Sequence, residues 1–217
     1  MSILGTPAAV PGSKCVLASM AVRLGSSIRN SWTRAVVRRL RALPADRREP
    51  ILARIDPETL KTVRRTRDAG FIPLETAVEV VEALRSGFDD DALAAFWAEL
   101  VTDSYAGGLF TELIVKAATG FGGDGTGLLK LAPAAWNLSS RNAGEVKVVR
   151  GASGSLTLSG EFPPSIHDSH GFRLVFRGAL TAMLGLTKIE AELVEEHDDG
   201  TLRFHVVPEG AMTRSSA

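Results

Sequence analysis

The sequence predicts an α+β protein in which an N-terminal helical block packs on a C-terminal ββαββ antiparallel sheet with one covering helix. Two observations lead to this fold class. Up to about residue 120, apolar residues recur at the three- and four-residue spacing of amphipathic helices. Between residues 145 and 207, apolar and polar residues alternate in four short segments, as in strands with one buried face. A chain of 217 residues that is 45% hydrophobic can bury such a core.

Helix-breaking and capping residues divide the first half of the helical block. Apolar residues from Ile28 to Leu43 follow helical spacing, and Pro44 ends that helix. Pro50 is tolerated near the start of a short second helix. Asp56 and Pro57 then combine a capping side chain with proline at the first helical position, which predicts a third helix.

The second half of the block predicts further helices and a connection. Pro73 opens a helix that ends at Gly87. Three aspartates from Asp89 to Asp91 begin the next helix, where negative charge meets the positive end of the helix dipole. Another helix runs through Leu113 to Ala117. Residues 120–127 form a glycine-rich loop, and residues 128–142 form an irregular connection.

The C-terminal block contains four predicted strands and one helix. A Gly-Ala-Ser-Gly turn at 151–154 joins the first two strands into a hairpin. Ser165 is the predicted N-cap of the helix, and Gly185 its end. Asp199 and Gly200 form the turn of the second hairpin. The predicted strands are 145–150, 155–159, 188–196 and 202–206.

These elements predict five segments. They are a flexible N-terminus or short strand (1–24), a helical subdomain (25–120), a Gly-rich loop and connection (121–144), the ββαββ subdomain (145–207) and a disordered tail (208–217). Pro7 and Pro11 interrupt the apolar start and argue against a signal peptide. A single cysteine, Cys15, favours a reducing compartment, so we expect a cytoplasmic protein.

Charge is unevenly distributed along a chain whose net charge is zero. Residues 23–67 carry thirteen basic and four acidic side chains, whereas residues 68–103 carry nine acidic side chains and only Arg85. We expect the arginine-rich helices to face acids such as Glu79, Glu82 or Asp103, or the acidic surface of a partner in a possible homodimer. A solvated basic surface is the favoured interpretation, so nucleic acid and anionic membrane are disfavoured as partners. The glutamates of the helix after Pro73 also disfavour a DNA-binding helix-turn-helix.

Two sequence patterns that suggest catalysis or phosphate binding have simpler explanations. The glycine-rich loop lacks the preceding strand and the Lys-Ser or Lys-Thr of a phosphate-binding loop, which favours a linker. His167 and His170 are three residues apart and are weak candidates for metal ligands or for a general base. Ser165 and Asp168 fit a helix-capping pattern that explains this polar cluster without a metal.

Large apolar side chains predict a ligand pocket between the helical block and the sheet, because clefts form where packed layers diverge. Core packing is the alternative interpretation of the same residues. The candidate pocket residues are Trp97, Tyr105, Trp136, Phe172, Phe176 and Met183.

The order of these segments resembles a myxobacterial paralogue family of unknown function, itself distantly similar to haem-nitric-oxide-binding and four-vinyl-reductase-type domains. The resemblance rests on the basic first helix, on Phe71-Ile72-Pro73-Leu74, on Ala134-Ala135-Trp136, and on Gly171 and Gly178 within the ββαββ block. It implies a helical part packed on a ligand-associated α/β part, and sensing or adaptor work more than catalysis.

Departures from the haem-binding pattern disfavour haem and zinc, so the sequence predicts no cofactor. No histidine precedes His167, although haem-binding members need a proximal histidine before the sheet. Ser139-Ser140-Arg141 keeps a Ser-x-Arg fragment, but Asn137 stands where the motif has tyrosine. Cys15 has no cysteine partner for a zinc site.

Three functional hypotheses follow. The first is a non-catalytic regulatory, sensory or adaptor domain that binds an apolar small molecule or a protein partner in the helix-sheet cleft. The second is an enzyme that uses His167 or His170 with a carboxylate as general acid or base. The third is a protein that binds nucleic acid or an anionic membrane through its basic face.

Overall fold

The computed structural model describes residues 25–106, 127–151, 155–188, 190–198 and 200–208. Within these ranges the protein has eight α-helices and two antiparallel sheets, which confirms the predicted fold class. The helices are α1 (Asn30–Ala42), α2 (Ala45–Leu52), α3 (Pro57–Arg65), α4 (Leu74–Leu84), α5 (Asp90–Ala106), α6 (Ala132–Ser139), α7 (Pro164–His167) and α8 (His170–Thr187). The strands are β1 (Ser27–Arg29), β2 (Phe71–Pro73), β3 (Ser140–Arg141), β4 (Glu145–Arg150), β5 (Leu156–Glu161), β6 (Ala191–Asp198) and β7 (Thr201–Pro208).

Several predicted segments lie outside the described residues. They are the N-terminal segment 1–24, the helix through Leu113 to Ala117, residues 120–126 of the glycine-rich loop, the turn residues 152–154 and the tail beyond Pro208. In the described part of the chain, none of the helices combines the length and apolarity needed to cross a bilayer.

Helices α3 and α5 begin at the predicted aspartates: Asp56, predicted as a cap, and the run from Asp89, predicted to face the positive end of the helix dipole. Asp56 Oδ1 accepts a hydrogen bond from the backbone N–H of Glu58 at 2.8 Å. Asp89 Oδ1 accepts one from the backbone N–H of Ala92 at the same distance. These bonds satisfy N–H groups that have no partner within the first helical turn, so the local sequence sets both starts.

Four details of the element prediction were wrong. Pro50 lies inside α2 instead of near its start. Residues 128–142 are largely regular: a 3₁₀ turn (Leu129–Leu131) leads into α6 and β3. Ser165 does not cap the long helix. The helix is interrupted after α7, and Ser169 is the N-cap of α8. Gly185 lies within α8, which ends at Lys188 in a left-handed conformation with φ of 54°.

A small sheet of three short strands, in the order β2-β1-β3, was not predicted. Ile28 pairs with Ile72 on one side and with Ser140 on the other. Strands of two or three residues are too short to show alternation, and their pairing joins segments more than 40 residues apart. This sheet fixes the start of α1 beside the end of α6.

The C-terminal sheet has the strand order β4-β5-β7-β6, and all neighbours are antiparallel. Leu158 pairs with Val148 on β4 and with Phe204 on β7. Leu158 and Phe204 are buried, and side chains alternate between the faces of a strand, so this row packs under α8. The neighbouring row, with Thr157 opposite His205, lies on the other face.

The buried apolar residues form two clusters. One fills the helical block and includes the start of α8. The other lies between the sheet and the rest of α8. Phe162 and Phe176 are partly buried and pack against both clusters. Helix α8 therefore joins the two layers of the molecule.

Candidate functional site

A cavity of about 160 Å³ lies where the helical block, α6, α8 and the C-terminal sheet meet, and it is not fully enclosed. Its described lining contains no Asp, Glu, Lys, Arg or His side chain. The lining includes Ile28, Trp32, Val36, Val80, Val81, Trp97 and Val101 from the helical block, Trp136 from α6, Val146, Leu158, Leu202 and Phe204 from the sheet, and Phe172, Val175, Phe176 and Met183 from α8. This composition suits an uncharged, apolar ligand.

Aromatic side chains from α6, from α8 and from the loop after β5 form one wall of this cavity. The ring centroids of Trp136 and Phe162 are 5.3 Å apart, and those of Trp136 and Phe176 are 5.5 Å apart. Phe162 and Phe176 stack at 4.9 Å. Such offset and edge contacts are the favoured arrangements of aromatic pairs, so this wall is held in a defined shape.

All three tryptophans of the chain line the cavity, but their indole N–H groups differ. Trp32 Nε1 donates to Ser139 Oγ at 3.4 Å, and Trp136 Nε1 donates to the carbonyl oxygen of Gly144 at 3.1 Å. Trp97 is 4% exposed, and its Nε1 is buried without an acceptor. Most buried polar atoms are paired, so this donor is an exception.

The structure brings five of the six predicted pocket residues into the lining of this cavity: Trp97, Trp136, Phe172, Phe176 and Met183. The side chain of Tyr105 lies outside the described residues. That these residues bind a ligand remains a prediction. Trp32 and Phe162 were missed, although the helical spacing of Trp32 with Ile28 and Val36 places the three on one face.

Both candidate histidines are engaged by neighbouring groups outside the cavity. His167 Nδ1 contacts Asp168 Oδ1 at 2.9 Å, and its Nε2 contacts the carbonyl oxygen of Asp198 at 3.1 Å. His170 Nε2 contacts Asp90 Oδ2 at 2.7 Å, and Arg173 Nη2 contacts its Nδ1 at 2.9 Å. A general base needs a ring nitrogen that can face the substrate, so this geometry does not favour the enzyme hypothesis.

The described residues contain no group of three or more His, Cys, Asp or Glu side chains that could hold a metal ion. The rings of His167 and His197 are 6.4 Å apart between centroids. His205 instead contacts Thr157 and Glu196 on the far face of the sheet. The four histidines therefore do not converge on one point.

Glu82 on α4 connects the helical block to the start of α8. Its Oε1 accepts hydrogen bonds from the backbone N–H of Gly171 at 2.9 Å and from Ser169 Oγ, and Arg85 Nη1 contacts its Oε2 at 3.0 Å. Burial raises the pKa of the Glu82 carboxyl, but the hydrogen bonds from Ser169, Arg85 and Gly171 outweigh burial, and the pKa lies below its ordinary value of 4.5. The carboxylate also faces the positive end of the α8 dipole.

The basic face is only partly neutralised by nearby acids. Arg39 forms ion pairs with Glu99 and with Asp103, the latter at 2.9 Å, and Arg34 pairs with Asp68 at 2.9 Å. Glu79 instead accepts hydrogen bonds from the backbone of Asp56 and from Thr59. Seven exposed arginines between residues 23 and 67 form no ion pair within the described ranges: Arg38, Arg41, Arg47, Arg54, Arg64, Arg65 and Arg67. These arginines do not decide the third hypothesis, binding of nucleic acid or an anionic membrane, which the sequence disfavours.

Neither a protein-family model nor a curated protein matches this sequence. Solved structures do match. An H-NOX protein from S. oneidensis in the Fe(II)NO ligation state has a TM-score of 0.58 at 11% identity and covers 84% of this chain and 100% of its own. This chain has the H-NOX fold. Two further solved structures share this fold. One comes from a study of heme distortion in the H-NOX family (TM-score 0.52, 12% identity, 84% of this chain and 96% of its own covered). The other is an Fe(II) unliganded H-NOX mutant from K. algicida (TM-score 0.50, 15% identity, 84% and 96% covered).

This comparison confirms the predicted resemblance to haem-nitric-oxide-binding domains at the level of the fold. It also corrects one expectation. The sequence predicted no cofactor, with haem and zinc disfavoured, but the structures that share this fold are H-NOX proteins described with Fe(II)NO ligation and with heme distortion. That expectation was wrong, because it treated the missing motif residues as decisive although solved proteins of this fold are described with haem.

The described lining matches one part of a haem site and lacks another. Its apolar walls suit a porphyrin, and the thioether of Met183 is a known type of axial ligand to haem iron. None of the four histidines lines the cavity, so the described lining offers no imidazole. A macrocycle would also need more space than the 160 Å³ between α8 and its neighbours. In this geometry the residues that line the cavity do not form a complete binding site for haem iron.

Proposed function

We propose that this protein is a sensory domain that binds an apolar ligand in the cavity between its helical block and its C-terminal sheet. The observation that carries the proposal is the cavity itself, which is lined by uncharged side chains from every layer of the molecule. A second support is the shared fold, since the S. oneidensis protein of this fold is described in an Fe(II)NO ligation state. Ligand sensing is therefore an activity that this architecture supports.

The size of the cavity limits the ligand that the present geometry accepts. An engineered apolar cavity of about 150 Å³ in another protein stays dry and binds benzene or xenon. This cavity is of the same size, at about 160 Å³. Drug-sized ligands fill pockets of roughly 300–1,000 Å³, so a larger ligand, haem included, requires α8 to move away from its neighbours.

Helix α8 is the element through which ligand binding would be reported. Phe172, Phe176 and Met183 of α8 line the cavity, while its N-terminal turn is bonded to Glu82 on α4. A ligand that displaces the middle of α8 therefore changes the contacts at its start. A ligand shifts such an equilibrium only by its difference in affinity for the two positions.

The test blocks the cavity without altering the surface around it. Ala135 lines the cavity and Ala134, its neighbour on α6, is exposed, so Ala135→Leu and Ala134→Leu form a matched pair. We expect benzene and xenon to raise the melting temperature of the wild type and of Ala134→Leu, and not that of Ala135→Leu. Equal stabilisation of both variants, or no stabilisation of the wild type by either probe or by hemin, would overturn the proposal.

Hemin is titrated in parallel as the larger candidate. A Soret band in the wild type that Ala135→Leu reduces would identify a porphyrin as an occupant of this cavity. Met183→Ala then tests the thioether, because loss of an axial ligand changes the visible spectrum of haem. A Soret band that is identical in all variants would place haem elsewhere and count against the cavity as the binding site.

A further inference from the structure

We infer that the natural occupant of the cavity is an uncharged molecule with a hydrogen-bond acceptor, such as a carbonyl or ether oxygen, that pairs with the indole N–H of Trp97. The inference rests on the proposed function and specifies its ligand class. It begins from the contrast among the three tryptophans. They share the same cavity, but only Trp97 lacks an acceptor among the described residues.

The unpaired N–H of Trp97 is informative because it is energetically unfavourable. A buried donor without a partner has lost its hydrogen bonds to water and gained none in return, which destabilises the protein. The protein provides acceptors for Trp32 and Trp136 from Ser139 and Gly144, so tryptophans in this region are able to find partners. An N–H group left unpaired beside an apolar cavity is satisfied when a ligand brings an oxygen to it.

The unpaired group also fixes the kind of polar atom that the ligand must carry. The indole nitrogen is only a donor, so its partner is an acceptor. The other unpaired buried atom in the described residues is Asn30 Oδ1, an acceptor. Asn30 is not part of the cavity lining; its Nδ2 donates to the carbonyl oxygens of Val63 and Thr66. The lining also includes the hydroxyl residues Thr33, Ser139 and Ser159, but the unpaired buried atom on the cavity wall is a donor, so an acceptor on the ligand gives the larger gain.

The same lining excludes a charged ligand. No described lining residue carries a basic side chain that would neutralise a carboxylate or phosphate. Burying an unpaired charge is far more unfavourable than burying a neutral oxygen. The ligand class is therefore a small ketone, aldehyde, ester or ether, and excludes the corresponding acids.

Pairing requires a rearrangement of Trp97. Its Nε1 is sealed by neighbouring atoms, although the residue forms part of the cavity wall. Contact with the ligand therefore depends on the indole ring turning until its N–H faces the cavity. The new hydrogen bond favours the turned position, so an acceptor-bearing ligand stabilises a state that a hydrocarbon does not.

The experiment compares cyclohexanone with methylenecyclohexane, which has nearly the same shape but replaces the carbonyl oxygen with a CH₂ group. Dissociation constants are measured by calorimetry for the wild type, for Trp97→Phe and for the control Trp32→Phe, whose lost N–H is already paired in the protein. We expect the ratio of the ketone to the alkene dissociation constant to rise about tenfold in Trp97→Phe and to stay unchanged in Trp32→Phe.

A second measurement needs no variant that could misfold. The wild type has three tryptophans, and their indole ¹⁵N–¹H resonances report each N–H separately. We expect cyclohexanone to move the Trp97 resonance downfield, the direction of a new hydrogen bond, and methylenecyclohexane not to do so. If both ligands bind the wild type but the Trp97 resonance and the ratio show no preference, the acceptor inference is overturned and the proposed function stands. If neither ligand binds, the acceptor inference is overturned, and the benzene, xenon and hemin titrations decide the proposed function separately.

Discussion

Helix α8 contacts the helical block at two places, through close packing at one and through polar contacts at the other. At its centre, the backbone of α8 at Gly178 lies so close to α5 that a Cβ atom there would be 2.6 Å from Trp97 Cβ. At its N-terminus, Ser169 and Gly171 are joined to Glu82 by hydrogen bonds, and His170 is paired with Asp90. Shape positions the middle of the helix, and polar contacts position its start. The first contact is therefore insensitive to pH and salt, while the second is sensitive to both.

The largest effect is expected at the steric contact. Gly178→Ala adds a methyl group against the backbone of Ala94 and Ala98, which cannot yield without separating α8 from α5. We expect the free energy of unfolding to fall by about 3 kcal/mol. Gly185→Ala is the matched control, because a Cβ there meets nothing within 4 Å, and we expect it to be stabilising by about 1 kcal/mol. Urea denaturation measures both, and equal effects would contradict the close contact.

The polar contact is expected to be weaker. Glu82→Ala removes the acceptor of the Gly171 N–H and of the Ser169 hydroxyl. The Glu82 side chain is about one-third exposed, so water replaces part of what is lost. We expect a decrease of about 1 kcal/mol in the free energy of unfolding. Glu75→Ala, at an exposed position of the same helix, should change it by less than about 0.5 kcal/mol.

The pH dependence separates the two contacts. Because the pKa of Glu82 is lower in the folded protein than its ordinary value of 4.5, the unfolded state takes up its proton first as the pH falls. Its contribution to stability is therefore present above pH 4.5 and is lost as the pH drops through the folded pKa. We expect stability to fall less steeply with acid in Glu82→Gln than in the wild type, and Gly178→Ala to keep the wild-type slope. Parallel curves for the wild type and Glu82→Gln would contradict this assignment.

The smallest effect is expected for the contact between His170 and Asp90, because the Asp90 side chain is 56% exposed. Exposed pairs contribute about 0–1 kcal/mol and are screened by salt. We expect Asp90→Ala to lower the free energy of unfolding by less than about 0.5 kcal/mol at low salt, and the difference from the wild type to vanish at high salt. A loss that persists at high salt would mean that Asp90 has a packing role.

Much of the fold could be predicted from short stretches of sequence. Asp56 and Asp89 cap helices at their own positions, and alternating residues such as Leu202, Phe204 and Val206 predict a strand with one buried face. These features depend on a few neighbouring residues, so the sequence carries them directly. Most of the predicted pocket residues also line one cavity, because large apolar side chains collect where the layers meet.

The choice between Ser165 and Ser169 as N-cap of α8 depended on contacts distant in the sequence. Both serines can cap a helix, and the Ser169 hydroxyl that forms the observed cap also donates a hydrogen bond to Glu82, 87 residues earlier in the chain. The three-stranded sheet around Ile28 likewise depends on partners from other parts of the chain. Periodicity and capping patterns describe neighbouring residues only, so they do not show which distant segments come into contact.

The sequence by itself determined the class of the fold, the order of its main elements and the apolar character of its pocket. Only the tertiary structure decided that Gly178 must stay without a side chain and that Trp97, alone among the three tryptophans in the described part, lacks an acceptor. The physical reason is the sequence separation over which each effect acts. Backbone preferences act over a few residues, whereas close packing and the pairing of buried polar atoms depend on which distant segments meet.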